Sequence, residues 1–233
     1  MASKRQIAVA AEPGTITFWT HSATAGCMLY LHGKSGTTYQ YIHLNNDLAA
    51  GNDNRGKCVA GTAYAPGLKD GATVQAGQPV GFVGDSGDAN GIHPHLHFEV
   101  HPNDGPAVDP YPYLRKAVHL LFPVDPATSV SMSAQGTVAR AAGGRLALTI
   151  TKLTVFPIGL KLTKLGRPLV VSVPDTVQVD TGDGSLAQPD QGVLESLVGK
   201  NVVVLTTPTP ATLDVALAKP GALSASRIAV SAR

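Results

Sequence analysis

The segment Pro94-His95-Leu96-His97-Phe98-Glu99-Val100 alternates two histidines with two large apolar residues. In a β-strand, residues i and i+2 lie on the same face, so this pattern predicts that His95 and His97 project together while Leu96 and Phe98 face a core. Neutral imidazole is a ligand that Zn²⁺ binds readily, and catalytic zinc sites usually have three protein ligands and one open position. The pair therefore indicates a metal or catalytic site, although isolated histidine pairs also occur as structural or surface residues.

Further motifs lie on both sides of this segment. Tyr41-Ile42-His43-Leu44 ends a predicted strand, and Val74-Gln75-Ala76-Gly77-Gln78 opens a predicted hairpin. Gly84-Asp85-Ser86-Gly87 is a turn that leads into the histidines, and Asp109-Pro110-Tyr111 follows them. Glycine, asparagine and aspartate are typical of such turns. In this combination and order, the motifs resemble those of the lysostaphin-type, or LytM-like, zinc metallopeptidases.

The resemblance extends from about Ala2 to Ala117 and implies a fold and an activity. The implied fold is a lysostaphin-type antiparallel β-sheet groove, similar to a barrel-sandwich hybrid. The implied activity is cleavage of peptide cross-links in bacterial peptidoglycan. By the same resemblance, His97 corresponds to a ligand of the Zn²⁺ cofactor, while the catalytic residues His43 and His95 flank the open coordination position. For His43, a structural role at the end of the strand is the alternative.

Two zinc ligands of the family have no counterpart in this chain. Family members carry an earlier motif of His, three residues and Asp, whereas the residues before the first matched strand, Met1-Ala2-Ser3-Lys4-Arg5-Gln6, contain neither type. We therefore expect the chain to be an amino-terminally truncated form of a longer protein. Because each missing ligand lowers the affinity for metal, we also expect weak zinc binding and little or no peptidase activity.

Two functions remain open at this point. The first is a zinc endopeptidase acting on peptidoglycan peptide, and the second is a degenerate, non-catalytic domain that binds cell wall or regulates another hydrolase. The presence together of His43, His95 and His97 favours the first. The resemblance implies an extracellular or wall-associated location, although the amino-terminal stretch lacks the pattern of a signal peptide. The sequence does not predict an oligomeric state.

Composition sets the broad class of the chain. Hydrophobic residues make up 43% and charged residues 15% of 233 residues, and the formal net charge is only +2. These values are typical of a folded chain and do not favour a nucleic-acid partner. No apolar run approaches the roughly 20 residues that span a membrane.

Short alternating runs between turn residues predict a mainly β protein of two domains. We expect residues 1–124 to form the metallopeptidase domain without its amino-terminal ligand segment. We expect residues 130–233 to form a small β-barrel of unknown role, and the OB fold is one type of barrel compatible with the pattern. Phe156 is the one aromatic residue after about Asp125, and no cluster of reactive side chains indicates a second active site there.

The cysteines and the remaining histidines carry weaker signals. Cys27 and Cys58 are the two cysteines of the chain, so either one disulfide or two unpaired thiols is compatible with the sequence. His93 precedes Pro94 and is at most a minor contributor to the site. His21, His101 and His119 show no pattern of partner residues. Residues 45–66 are rich in Asn, Asp and Gly and predict a long loop.

Overall fold

The computed structural model describes residues 2–231, with His21 described by its backbone alone. The chain forms two compact units, the first ending at His119 and the second beginning at Leu120. In both units most of the regular secondary structure is β-strand, which confirms the mainly β class. The predicted boundary between residues 124 and 130 comes just after this junction.

The strands of the first unit are short and pair antiparallel. They are β1 (Ile7–Val9), β2 (Gly14–Ser22), β3 (Gly26–Gly33), β4 (Thr38–Leu44), β5 (Thr73–Val74), β6 (Pro79–Phe82) and β7 (His97–His101). Within the described residues, one sheet has the order β5-β2-β3-β4-β7, while β1 pairs with β6. A short helix, α1 (Tyr111–Lys116), follows β7. This is the antiparallel sheet that the resemblance implies.

The two faces of this sheet differ in character. One face is buried, with core side chains at alternate positions that include Ile16, Leu29, Leu31 and Tyr41. Burying an aliphatic side chain of this size contributes about 1.5–3 kcal/mol. Three residues next to these in sequence, Thr17, Tyr30 and Gln40, form a cross-strand row on the opposite face together with Glu99 of β7. The period of two therefore separates a core face from a face with polar groups.

Residues 45–66 connect β4 to the rest of the unit without forming a strand or a helix, as the sequence predicts. Cys58 in this segment forms a disulfide with Cys27 in β3. Of the two alternatives that the sequence leaves open, the bonded state is thus the one observed. The bond fixes the long loop to the strand next to β4.

The second unit is also a sheet structure. Its strands are β8 (Asp125–Ala142), β9 (Arg145–Phe156), β10 (Leu160–Leu162), β11 (Leu169–Ser172), β12 (Val179–Asp180), β13 (Leu186–Ala187), β14 (Asn201–Thr206), β15 (Thr209–Ala211) and β16 (Ala225–Val230). Along the described chain the strands follow the path β10-β9-β8-β14-β16-β12-β13, with β11 on β9 and β15 on β8. The OB type stays a prediction.

Two short helices lie among these strands, α2 (Gln191–Ser196) and α3 (Leu213–Ala216). The Asp190 carboxylate accepts a hydrogen bond of 2.8 Å from the Val193 amide and caps the start of α2. Leu194 of α2 is buried in the core of this unit. Among residues 2–231, no helix is long and apolar enough to cross a membrane.

Candidate functional site

The pairing of β4 with β7 brings the predicted site residues together. Ile42 lies opposite His97, at the last paired position before β4 ends. The ring centroid of His43 is 5.2 Å from that of His95 and 5.6 Å from that of His97. The structure therefore joins all three sequence-predicted residues in one cluster, while their individual roles remain predictions.

His43 has a backbone conformation that the sequence does not reveal. Its φ is +60°, in the left-handed region that residues other than glycine seldom adopt. In a regular strand His43 would face the side opposite Ile42, but this conformation breaks the alternation. The His43 amide donates to the Ala25 carbonyl instead, at 3.2 Å. The end of β4 is thus shaped around this histidine.

The imidazole of His43 is buried and held in one tautomer. Its Nδ1 is 2.9 Å from the Ser86 carbonyl oxygen, and since a carbonyl only accepts, Nδ1 carries the proton. Burial lowers the pKa of His43, and the Ser86 carbonyl and the Asp88 charge oppose this without overcoming it. The side chain is therefore neutral at neutral pH. Its Nε2, which lies 3.7 Å from Asp88 Oδ1, keeps a lone pair.

His95 is held in the same tautomer by a different partner. Its Nδ1 donates to the His93 carbonyl oxygen at 2.9 Å, so that Nε2 keeps the lone pair. The His95 amide donates to the Gly84 carbonyl at 3.1 Å, so His95 forms an isolated bridge rather than part of β7. The sequence predicts a strand from His95 to Val100, but β7 begins two residues later, at His97. The reason is that β4 stops pairing with β7 after Ile42.

His97 is bound by a carboxylate on its own strand. Its Nε2 is 2.9 Å from Glu99 Oε1, and because a carboxylate accepts, Nε2 carries the proton and Nδ1 keeps the lone pair. Glu99 Oε2 is 2.9 Å from Nε2 of His101, whose Nδ1 donates to the Gly105 carbonyl at 2.8 Å. Burial lowers the pKa of His101, but the bonds to Glu99 and Gly105 outweigh it and the net shift is upward.

Sequence reasoning missed Glu99 and His101 as members of this cluster. The expectation that His101 has no partner pattern is wrong, because its partner Glu99 lies two positions earlier on the same strand face. The signal was present in the sequence, since His97, Glu99 and His101 continue the alternation that starts at His95. His93 contributes its backbone carbonyl to His95.

The turn after β6 holds the cluster from one side. Ser86 Oγ donates to the Leu44 carbonyl at 2.6 Å and accepts from the Cys27 amide at 2.9 Å. Ser86 is buried, and its neighbour Gly87 has a φ of +73°. A cavity of about 480 Å³ opens beside this turn, and its lining includes Ser86, the disulfide cysteines and Lys57 but none of the clustered histidines. The cavity thus shares Ser86 with the histidine site but is not lined by the clustered histidines.

The resemblance implies a zinc ion, so we tested whether the residues fit one. A catalytic zinc site needs three protein ligands. Among the side chains that the structure describes, no group of three or more His, Cys, Asp or Glu residues is arranged to hold a metal ion. The Nε2 of His97 is already hydrogen-bonded to Glu99. The described residues therefore do not form a complete zinc site, and we derive no chemical step through zinc.

The segment around His95 and His97 matches a model of a known protein family. Residues 61–110 match the model of peptidase family M23. The matched segment contains His95 and His97, and His43 precedes it.

Similar solved structures include bacterial peptidases. The catalytic domain of lysostaphin, an antimicrobial peptidase from Staphylococcus simulans, is 24% identical over 50% of this chain and 75% of that chain, with a TM-score of 0.37. The catalytic domain of the M23 protein EnpA from Enterococcus faecalis is 24% identical over 47% and 71%, with a TM-score of 0.34. A longer lysostaphin structure is 17% identical over 71% of this chain and 83% of that chain, with a TM-score of 0.39.

Proposed function

We propose that the first unit, of which residues 61–110 match the model of peptidase family M23, belongs to a zinc metallo-endopeptidase that hydrolyses peptide cross-links of bacterial peptidoglycan. The observation that carries the proposal is the histidine cluster. Three imidazoles with ring centroids 5.2 and 5.6 Å apart each retain one nitrogen lone pair, on Nε2 of His43, Nε2 of His95 and Nδ1 of His97. Such nitrogens accept protons or bind a metal ion.

The three histidines have different proposed roles. His43 is neutral and buried, so it can accept a proton from a hydrolytic water or, once protonated, donate to the oxyanion of a tetrahedral intermediate. His95 has the same tautomer and a similar proposed role. His97 is the proposed metal ligand, and the further ligands that zinc requires are not among the described side chains. The protein would act on the cell wall outside the cell.

One observation favours a second candidate function. Since the described side chains provide no complete metal site, the chain in this form is suited to binding rather than hydrolysis. The second candidate is therefore a non-catalytic domain of the same family that binds wall peptide or regulates another hydrolase. The two candidates differ in a measurable property, which is zinc-dependent cleavage.

The deciding experiment compares two forms of the protein. One is the chain as it stands, and the other is extended at its amino end by a segment that contains the His-x-x-x-Asp motif. For the endopeptidase we expect the extended form to bind about one zinc ion per chain and to release cleaved muropeptides, whereas the chain alone does neither. Cleavage by the zinc-loaded chain alone would contradict the expected inactivity.

Matched variants identify the residues responsible. His97→Ala in the extended form should abolish both zinc binding and cleavage, whereas His119→Ala, a change at an exposed histidine, should leave both unchanged. His43→Ala should retain zinc and lose cleavage, since its proposed role is catalytic. An extended form that binds zinc and wall peptide without cleaving it would support the non-catalytic function instead.

A further inference from the structure

Lys4 lies between two buried carboxylates of the first unit. Its Nζ is 2.6 Å from Asp47 Oδ2 and 2.8 Å from Asp85 Oδ2. The side chains of Asp47 and Asp85 are only 0% and 4% exposed. Carboxylates are seldom buried to this degree without a partner, and removal of the partner of a buried ion is strongly destabilising. The ammonium group of Lys4 is therefore essential for keeping both carboxylates buried and ionised.

The two carboxylates depend on Lys4 to different degrees. Asp47 Oδ1 also accepts from the Asn54 amide at 2.7 Å. Asp85 Oδ1 is buried and has no hydrogen-bond partner among the described residues. The contact with Lys4 at 2.8 Å is thus the main compensation for the buried charge of Asp85. Asp85 and its turn are the elements most sensitive to the loss of Lys4.

These carboxylates lie on the two segments that meet at His43. Asp47 follows β4 closely in sequence, and Asp85 immediately precedes Ser86. The Ser86 carbonyl accepts the proton of His43 Nδ1, and Ser86 Oγ donates to the Leu44 carbonyl. The segments touch so closely that a Cβ added to Gly84 would lie 2.4 Å from the Asn45 Cα. A contact that joins Asp47 to Asp85 therefore also joins the two sides of the His43 hydrogen bond.

We propose that Lys4 is a positioning residue: by holding Asp47 and Asp85 together, its ammonium group keeps the Ser86 carbonyl at His43 Nδ1 and so leaves Nε2 as the proton acceptor of the site. The catalytic use of that acceptor rests on the proposed function. The positioning itself does not, because it concerns the free chain without metal or substrate. Arg5 supports the same arrangement, since its guanidinium donates to the Asp47 carbonyl and its amide to the Val83 carbonyl, both at 2.7 Å.

The test is a measurement of histidine tautomers by NMR on the ¹⁵N-labelled chain. Long-range ¹H–¹⁵N spectra should show His43 protonated on Nδ1 in the wild-type protein. In Lys4→Ala we expect a mixture of tautomers, and solvent exchange of the His43 ring proton should become at least roughly tenfold faster, since a buried ion pair loses one partner. Lys4→Arg, which retains the cation, should restore most of the wild-type behaviour.

Two controls separate positioning from a general loosening of the fold. Lys69→Ala removes an exposed lysine of the same unit and should change nothing. His95 is the internal control, because its Nδ1 is bound to the His93 carbonyl and not to the Ser86 turn. Its tautomer should survive in Lys4→Ala. If His43 and His95 lose their tautomers together, the effect is a general loosening and the proposal is wrong.

The proposal is also wrong if Lys4→Ala folds and His43 keeps its wild-type tautomer and exchange rate. If Lys4→Ala does not fold, Asp85→Asn decides the question. That variant keeps the shape of the side chain and removes one of the two ionic contacts, so it should shift His43 in the same direction by a smaller factor. An unchanged His43 in Asp85→Asn would overturn the proposal. No zinc or peptide is present, so the result is independent of whether the domain is a peptidase.

Discussion

The hydroxyl of Ser86 donates to the carbonyl oxygen of Leu44 across 2.6 Å, joining the turn after β6 to the end of β4. Ser86 Oγ also accepts a hydrogen bond from the Cys27 backbone amide at 2.9 Å. One buried side chain thus satisfies two backbone groups on two adjacent strands, and the backbone carbonyl of the same residue orients His43.

Removing this hydroxyl should destabilise the first unit. In Ser86→Ala the Leu44 carbonyl and the Cys27 amide lose their partner, and an unsatisfied buried polar group costs about 1–3 kcal/mol. We expect the free energy of unfolding of the first unit to fall by about this amount.

Trp19 is the sole tryptophan of the chain, so its fluorescence in a denaturant titration reports on this unit. Ser129→Ala, at an exposed serine of the second unit, should show no change in the same titration. A loss in Ser86→Ala no larger than in this control would contradict the expectation.

The ion cluster of Lys4 should make the first unit sensitive to acid. Burial would raise the pKa of Asp47, but the hydrogen bonds from Lys4 and the Asn54 amide outweigh it and bring the pKa below its ordinary value of 3.8. A folded-state pKa below the unfolded one contributes stability that is present above the unfolded pKa and is lost as the pH falls through the folded pKa. The unfolding free energy should therefore decrease progressively below about pH 4.

Asp47→Asn tests this pH dependence. The variant should be less stable than wild type at neutral pH and show a flatter profile in acid, because it no longer binds a proton on unfolding. Unfolding titrations at a series of acidic pH values, followed by Trp19 fluorescence, measure both effects. Asp104→Asn, at an exposed aspartate, is the matched control and should follow the wild-type profile. Parallel profiles for wild type and Asp47→Asn would show that Asp47 does not contribute.

Local periodicity was sufficient to predict part of the site. The alternation of His95 and His97 and the strand end at His43 identify three residues that the fold brings together, because side-chain direction in a strand follows from sequence spacing alone. The same rule extends to Glu99 and His101. The left-handed backbone of His43 carries no such signal, since histidine adopts a positive φ more often than most residues but still only seldom.

Contacts between distant segments could not be predicted from spacing. Lys4 meets Asp47 and Asp85 only because β1 pairs with β6 and so places the amino-terminal segment beside the Ser86 turn. The disulfide depends equally on the path of the long loop. In the second unit, alternation indicates β14 as a strand, but its position between β8 and β16 is set by the packing of the whole unit.

The disulfide should contribute substantially to the stability of the first unit. Cys27 and Cys58 are separated by 31 positions, and the chain-entropy description assigns a loop of that size about 3–4 kcal/mol. Cys58→Ser should lower the free energy of unfolding by about this amount, through the greater entropy of the unfolded chain. The measurement is denaturant unfolding of the first unit by Trp19 fluorescence. Reduced wild-type protein is the control, because it should lose a similar amount and the variant should not respond to reductant. A variant as stable as oxidised wild type would contradict this expectation.

Two glycines near the site should respond differently to the same substitution. Gly87 and Gly91 both have a left-handed backbone, with φ of +73° and +82°, so alanine at either position costs about 1–2 kcal/mol. A Cβ at Gly87 would also lie 2.1 Å from the Thr24 carbonyl oxygen, whereas a Cβ at Gly91 would have no neighbour within 4 Å. Gly87→Ala should therefore cost about 1–3 kcal/mol more than Gly91→Ala, as is typical of overpacking. Gly87→Ala should also displace the adjacent Ser86 carbonyl from His43.

Trp19 fluorescence measures the difference in unfolding free energy between the two variants. The His43 tautomer, measured by NMR, should change in Gly87→Ala alone. Equal losses in the two variants, with His43 unchanged in both, would show that the turn accommodates a side chain at Gly87 without consequence for the site.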